Sequence, residues 1–446
     1  MSASGVVYQN RETECLPRDE LVTRQLTRLR DQLSYVSERS PFYRQKLRGA
    51  GIAPGDIRTM DDLRRIPPTV KEELRASQAA HPPWGDFGCI GPEAAVRVFQ
   101  TSGTTGKPVR IMLNRTDWFE NFFEQFSYYR CAFGLTEKDV LFVPFNYGLY
   151  IAWWGFQAAM EKAGLMIIPG GGQSSKDRLQ AMIDWGATVV CGTPSYLLRL
   201  CQIARASGID LVNSPITKLI AAGEPGAAVL ATRKTMENEW GAELFDDIGS
   251  TEISNFGYEC VMHDGTHVNE AMFIAEVLDP QTLEPVADGQ VGELVLTNLC
   301  CESMPLIRYR MMDLVKFDRS TCACGRTSVR LAGGILGRSD DVFHFAGVNI
   351  FPTQIQNLLH QIDELSKEYQ VVVPEMGSGR HLTIRVEPAN DRVDAATLKR
   401  AVDHLVETVK YRITVTPEVE IVDIGAIPRG EGKAKRVLRE KAGVRT

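Results

Sequence analysis

The stretch Phe99-Gln-Thr-Ser-Gly-Thr-Thr-Gly-Lys-Pro-Val109 follows a strand-like run, Ala94 to Phe99, with a loop of hydroxyls and glycines that ends in a lysine. Backbone N–H groups at Gly103 and Gly106, hydroxyls at Thr101, Ser102, Thr104 and Thr105, and the ammonium of Lys107 can all donate hydrogen bonds. A polyphosphate offers only acceptors, so the string predicts a phosphate cradle. It is not a Walker A loop, because the spacing G-x-x-x-x-G-K-[ST] is absent and Pro108 stands where a Ser or Thr would meet magnesium. Any few of these residues alone would make an ordinary surface turn. The density of the whole string points to a nucleoside triphosphate.

Downstream of this loop the chain alternates. Strand-like runs at Val140 to Pro144, Leu165 to Pro169, Thr188 to Gly192, Leu219 to Gly223 and Glu243 to Ile248 are separated by helix-length segments. These segments are Ile151 to Ala163, Ser175 to Trp185, Ser195 to Ser207 and Ala227 to Trp240. Such alternation predicts βαβ units and a largely parallel sheet covered on both faces, with ligands beyond the carboxyl ends of the strands. Upstream, Leu21 to Arg75 is amphipathic and helical, broken at Ser40-Pro-Phe-Tyr43. After Gly257 shorter strands (Ile274 to Leu278, Glu293 to Asn298, Asp313 to Asp318) predict an antiparallel or barrel-like subdomain. From Gly337 a compact α+β unit follows, with helices near Thr353 to Gln361 and Asp394 to Tyr411. Its strands fall at Gln370 to Pro374, Leu382 to Glu387 and Glu418 to Ile424, ahead of a basic tail.

With 446 residues the chain exceeds what one core usually serves, which predicts two or three domains. A net charge of -6 argues against general nucleic-acid or membrane-surface binding. No apolar run approaches the ~20 residues that span a bilayer. The polar start, Met1 to Asp19, lacks the apolar core of a signal peptide, so a cytoplasmic enzyme is expected. In that setting the 10 cysteines predict reduced thiols or metal ligands rather than a disulfide framework.

Further segments accompany the loop in a fixed order: Ala221-Ala-Gly-Glu-Pro225, Asp246-Asp-Ile-Gly-Ser-Thr-Glu252, Leu306-Ile-Arg-Tyr-Arg-Met-Met-Asp313, Gly337-Arg-Ser-Asp-Asp-Val342 and Ile427-Pro-Arg-Gly-Glu-Gly-Lys-Ala-Lys435. From about Ser40 to Val437 the chain resembles the adenylate-forming superfamily and, within it, the phenylacetate–coenzyme A ligase family. The resemblance implies an N-terminal adenylation domain (residues 1–337) with parallel sheets and a barrel-like subdomain, and a small mobile α+β C-terminal domain (338–446). Nucleotide contacts would come from Thr101 to Lys107, from Gly223, Glu224 and Pro225 beside the adenine, from Asp247 and Ile248, and from Asp313 and Arg338 at the ribose. Ile248 departs from the aromatic residue usual at its position. Thr251 would meet the α-phosphate and Glu252 would ligate Mg²⁺, a hard cation suited to carboxylate and phosphate oxygens. Asp340 would be the hinge. Lys433 would enter the site in the first half-reaction, neutralising charge where two anions meet. Lys435 and Arg436 read as solvated tail charges. Outside the resemblance, Asp313 reads more readily as a strand-end salt bridge.

The implied chemistry is ATP-dependent activation of an aryl or arylacetic carboxylic acid as an acyl-adenylate, then transfer to coenzyme A. A carrier-protein thiol or an amine remains open as the acceptor, as in natural-product biosynthesis. A non-catalytic nucleotide-binding protein is a rival from another class, disfavoured by the intact Glu252, Asp313 and Lys433. The acid is expected near Tyr147, Tyr150, Thr193, Pro194 and Tyr196; Trp153 and Trp154 read equally as pocket wall or core. The resemblance also implies zinc on Cys260, His267, Cys322 and Cys324, with His267 fitting better than His263 and unmetallated thiols as the alternative. Cys300 and Cys301 receive no role. Relatives often form homodimers, but no interface can be read from the chain.

Overall fold

The structure, a computed structural model, describes residues 5–101, 107–149, 151–339, 343–345, 348–350, 352–374, 382–413, 415–428 and 436–440. Helix Arg18–Arg39 ends, and helix Pro41–Gly49 begins, at the same residue. The Ser40 N–H donates to the Val36 carbonyl (2.9 Å), its Oγ accepts from the Tyr43 N–H (3.2 Å), and Pro41 fixes the next turn. Leu29, Leu33 and Val36 are buried against Tyr43, Leu47 and Ile57, and the same cluster takes in Ile274, Leu299 and Ile307. The N-terminal helices thus close over the antiparallel part of the molecule.

The strands are β1 (Ala95–Gln100), β2 (Arg110–Asn114), β3 (Val140–Val143), β4 (Met166–Pro169), β5 (Val189–Gly192), β6 (Lys218–Ala222) and β7 (Glu243–Ser250). They continue as β8 (Ser254–Glu259), β9 (Thr266–Val268), β10 (Phe273–Leu278), β11 (Val291–Asn298), β12 (Tyr309–Asp318), β13 (Arg330–Leu331) and β14 (Gly337–Arg338). β4-β3-β5-β6-β7 are parallel neighbours, as the alternation predicts. β7 then pairs antiparallel with β8, and the path runs on through β9, β13, β12, β11 and β10. The parallel and antiparallel parts therefore form one hydrogen-bonded path. Side chains alternate across it: Leu141, Val189, Cys191, Ile220 and Phe245 enter one core, whereas Phe142, Val190, Leu219, Ala221 and Leu244 enter another.

Helix Phe122–Ala132, with the π-type turn Asp117–Asn121 before it, escapes a periodicity reading. Phe122, Gln125, Phe126, Ser127, Tyr128, Tyr129 and Cys131 are all buried, so no polar face marks it in the sequence.

The C-terminal unit contains β15 (Phe343–Phe345), β16 (Val348–Ile350), β17 (Leu365–Pro374), β18 (Thr383–Pro388), β19 (Glu418–Ile421) and β20 (Val437–Glu440), with helices Pro352–Leu359 and Ala395–Ile413. Its sheet order is β19-β18-β17-β20, packed on its own core of Ile355, Leu359, Tyr369, Val371, Ile384, Leu405 and Val409. β20 corrects the reading of a solvated tail. Arg436, just before it, pairs with Glu368 (2.8 Å) and lies over the Tyr369 ring (4.7 Å). Four residues are too few to show a strand period, and the flanking charges hide them.

The unit meets the rest of the chain through His360, whose Nδ1 lies 2.6 Å from the buried Thr232 hydroxyl; Gln356 also donates to that hydroxyl (3.4 Å). Burial, with help from Lys367 and Arg436, depresses the His360 pKa from 6.5 to about 3. A base held neutral in the docked state stabilises docking fully above its free value and less as the proton becomes available. Docking is expected to weaken as pH falls from 6.5 towards about 3, by at most about 1.4 kcal/mol per pH unit from this residue. His360→Gln should flatten that dependence, as checked by hydrogen exchange of helix Pro352–Leu359 against pH.

Candidate functional site

The phosphate loop opens from a closed neck. Thr101 N–H donates to the Val109 carbonyl (2.9 Å), and the buried Thr101 hydroxyl accepts from the Val109 N–H (3.0 Å). Ser102, Gly103, Thr104, Thr105 and Gly106 lie outside the described residues. Lys107 is exposed, and its carbonyl accepts from Arg75 Nε (3.0 Å). Arg75 belongs to helix Lys71–Ala80, which brings a second cation to the site. Lys71 Nζ lies 2.8 Å from Glu252 Oε1, and the Tyr309 hydroxyl donates to the same oxygen (3.2 Å). Burial by itself pushes the Glu252 carboxyl up; the Lys71 ammonium and the hydrogen bonds from Lys71 and Tyr309 hold it below its ordinary value. Glu252 is thus a charged, oriented carboxylate in the turn between β7 and β8, beside half-buried Thr251.

Sequence reasoning missed Lys71 and Tyr309. The signal for Lys71 was present: a cation in the first turn of a helix opposes the helix dipole and needs a partner elsewhere.

At the end of β6, Gly223 adopts φ +93°, a left-handed turn that favours glycine. Glu224 Oε1 accepts from the Ser195 N–H (2.7 Å) at the start of helix Pro194–Ser207, so the Gly223-Glu224-Pro225 turn is tied to that helix. Ile248 is buried on β7. Asp313 on β12 is opposite Arg338 on β14, 3.3 Å from guanidinium to carboxylate. The two ribose candidates are therefore adjacent, and the strand-end ion pair is present as well. Asp340 and Lys433 lie outside the described residues.

Two of the expected site residues, Asp247 and Tyr196, are engaged by protein partners. Asp247 is opposite Tyr258 in the β7–β8 ladder and accepts from Asn255 Nδ2 (2.6 Å), so its carboxylate faces away from Ile248. Tyr196 is buried in the second core, with its hydroxyl accepting from Arg178 (2.7 Å) and 3.2 Å from Ser175 Oγ. Its ring belongs to the second core, whereas Tyr147 packs against the first. Thr193 and Pro194 start the same helix, Thr193 Oγ1 accepting from the Tyr196 N–H (3.3 Å). Tyr147 does have a wall partner: its ring is 4.5 Å from Trp154, over which Arg97 lies at 5.1 Å. Trp153 is core, packed edge-on to Phe156. Tyr150 lies outside the described residues. Fully buried Arg178 also donates to the Gly170 carbonyl (2.8 Å) and Asn146 Oδ1 (2.9 Å), pinning the loops after β3 and β4.

Cys260, His267, Cys322 and Cys324 are all buried, and their donor atoms lie within 4.8 Å of one another. Cys324 Sγ is 3.5 Å from His267 Nε2, while His267 Nδ1 is 3.0 Å from Ser328 Oγ, which fixes the ring. Hydrogen bonds from the Cys260 and Cys322 thiols hold the Cys324 thiol far below its usual range. Three sulfurs and one imidazole in a closed set match the donor set of tetrahedral structural zinc. His263 is engaged elsewhere, 2.8 Å from Glu243.

The model of the AMP-binding enzyme family matches residues 52–300, and that of the AMP-binding enzyme C-terminal domain matches residues 347–441. A phenylacetate–coenzyme A ligase of Thermus thermophilus is 35% identical, over 97% of this chain and 99% of its own length. The chain belongs to the phenylacetate–coenzyme A ligase family. Another member, from Escherichia coli, is 33% identical over 94% of this chain and 95% of its own. A solved 2-hydroxyisobutyryl-CoA ligase in its postadenylation state, 30% identical, superposes with a TM-score of 0.93 over 99% of this chain and 94% of that one. The same ligase in its thioesterification state, over 97% and 92% of the two chains, gives 0.74. This phenylacetate–coenzyme A ligase family member thus has its C-terminal unit placed as in the former state. Among its described residues no helix is long and apolar enough to cross a membrane.

Proposed function

We propose that this chain, an AMP-forming acid–coenzyme A ligase by its family, activates an aryl or arylacetic acid. The carboxylate attacks the α-phosphorus of ATP, the bond to the bridging oxygen breaks, and pyrophosphate leaves with that electron pair. The coenzyme A thiol, losing its proton, then attacks the carbonyl carbon of the acyl-adenylate and AMP departs. The observation that carries this reading is Glu252, kept ionised by Lys71 and Tyr309 at the end of β7. Its carboxylate would hold Mg²⁺, which supplies charge neutralisation at the phosphates when bound. Lys71 and Arg75 lie beside the base of the phosphate loop, where a leaving pyrophosphate needs counter-charge.

Asp313 would accept from the ribose hydroxyls and Arg338 would steady it. Lys433 would deliver its ammonium to the reacting carboxylate, with Asp340 the hinge between residues 1–337 and 338–446. Tyr147 and Trp154, with rings 4.5 Å apart and inclined at 58°, would supply an aromatic wall for the acid. The buried Cys260, His267, Cys322 and Cys324 would hold a structural zinc. Coenzyme A is favoured over a carrier-protein thiol or an amine, because the family members most similar to this chain are coenzyme A ligases.

The test is pyrophosphate release from ATP with benzoic, phenylacetic and aliphatic acids, each with and without coenzyme A. An aryl acid is expected to give an acyl-CoA by mass when the thiol is present, and an adenylate indifferent to coenzyme A would overturn the acceptor. In the same assay Lys433→Ala should slow adenylation by on the order of 100-fold or more. A rate within a few-fold of wild type would remove Lys433 from the mechanism.

A further inference from the structure

Helix Phe122–Ala132 and β7 carry five buried polar atoms without a protein partner among the described residues: Arg130 Nε, Ser250 Oγ, Asp247 Oδ2, Tyr129 Oη and Gln125 Nε2. The last three belong to residues that are almost wholly enclosed, with exposures of 2%, 0% and 3% respectively. Two of the groups are nevertheless held rigidly by their other atom. Asp247 Oδ1 accepts from Asn255 Nδ2 (2.6 Å), and Gln125 Oε1 accepts from Ser254 Oγ (3.0 Å). Tyr129 is one helical turn after Gln125, and its ring packs against Tyr258, the ladder partner of Asp247 (5.0 Å between centroids).

The three therefore lie along one seam between the helix and the strand pair. The same helix packs through Phe126 on Phe156 (5.6 Å between centroids) of helix Ala152–Lys162, which carries Trp154, the ring neighbour of Tyr147. Folded proteins pair nearly all their buried polar groups, so such a concentration of unpaired atoms marks a missing polar partner. The surrounding core of Phe126, Phe133, Phe156 and Phe245 offers none.

We propose that the acid this enzyme activates carries a hydroxyl group on its ring, received by Asp247, Tyr129 and Gln125. The inference rests on the adenylation reading above. A carboxyl oxygen, a phenol and an amide N–H₂ together ask for a group that both donates and accepts, which a hydroxyl does. An arylamine donates well but accepts poorly, and an unsubstituted ring answers none of the three. Burial pushes the Asp247 carboxyl up to about 8, so near neutrality it can hold a proton and share it with the incoming hydroxyl. A site built to hydrogen-bond a hydroxyl rejects the analogue lacking it strongly, because its own groups are left unpaired.

The experiment compares kcat/KM for pyrophosphate release with benzoate against 2-, 3- and 4-hydroxybenzoate and the aminobenzoates, and with phenylacetate against the hydroxyphenylacetates. One hydroxylated acid is expected to exceed its unsubstituted parent by at least ~100-fold. Tyr129→Phe, which deletes one oxygen and keeps the ring, should narrow that ratio by roughly 10-fold, as should Asp247→Asn. The ratio is read within one protein preparation, so a general loss of folded enzyme cancels. Parents that match or outrun every hydroxylated analogue would overturn the proposal, as would a ratio untouched in Tyr129→Phe. Preference for an aminobenzoate would overturn the hydroxyl assignment. Turnover of no acid would overturn the activity and the inference together.

Discussion

Glu252→Gln is expected to lower acyl-adenylate formation by on the order of 100- to 1,000-fold, with a raised Mg²⁺ requirement for whatever activity remains. The substitution keeps the size of the side chain and can still accept from Tyr309, so the loss isolates the charge. It also strips Lys71 of the carboxylate 2.8 Å away, leaving an ammonium that would repel a metal ion bound there. The paired substitution Lys71→Ala with Glu252→Gln separates these effects. If part of the loss arises from the stranded ammonium, the double variant recovers some activity over Glu252→Gln alone. If Lys71 serves mainly the leaving pyrophosphate, the double variant is worse. Pyrophosphate exchange into ATP at several Mg²⁺ concentrations checks both; a Glu252→Gln rate near wild type would falsify the assignment of the metal ligand.

Cys324→Ser is expected to abolish zinc binding and to lower the thermal midpoint by on the order of 10 °C. Elemental analysis of the wild-type protein purified without chelator should give about one zinc per chain. The cluster closes β8, β9 and the loop after β12 around one point, so its loss frees the end of β8. The other end of β8 adjoins the turn that carries Thr251 and Glu252. A variant tested well below its midpoint should therefore keep measurable adenylation while failing on mild heating. Wild-type protein that contains no metal and melts with Cys324→Ser would reduce the cluster to packed thiols.

The elements legible in the sequence were those with a bounded apolar run or a periodic face. β3 and β5 bury nearly every residue, β6 and β7 bury continuous central runs, and the helices between them carry one apolar face. Helix Phe122–Ala132 and β20 were not legible, the first because it buries polar Gln125 and Ser127 along with its apolar residues and the second because it is too short to show a period. The site followed the same division. Glu252, Asp313 and the cysteine set stand in compact strings, so their order along the chain announces them. Lys71, Tyr129 and Gln125 act through distant partners, and no local pattern encodes a contact across some 180 residues such as Lys71 to Glu252. Tyr196 differs again: it stands on helix Pro194–Ser207, whose packing carries its ring into the second core with its hydroxyl on Arg178.

The first stretch of chain described is anchored to the loop that carries two of the cysteines. The Tyr8 hydroxyl donates to the Cys324 carbonyl; Arg326 donates to the Val7 carbonyl (2.7 Å) and, through Nε, to buried Glu14 (2.5 Å). Thr327 donates to the Leu16 carbonyl (2.6 Å). For anyone preparing this protein, trimming back to the long helix at Arg18 is then not a neutral change. It would remove the clasp over Cys322–Cys324, and a shortened protein that loses metal on storage would be reporting on its missing leader rather than on its ligands. An affinity handle is better carried at the other terminus, or set off by a spacer long enough to leave Val7 to Leu16 undisturbed.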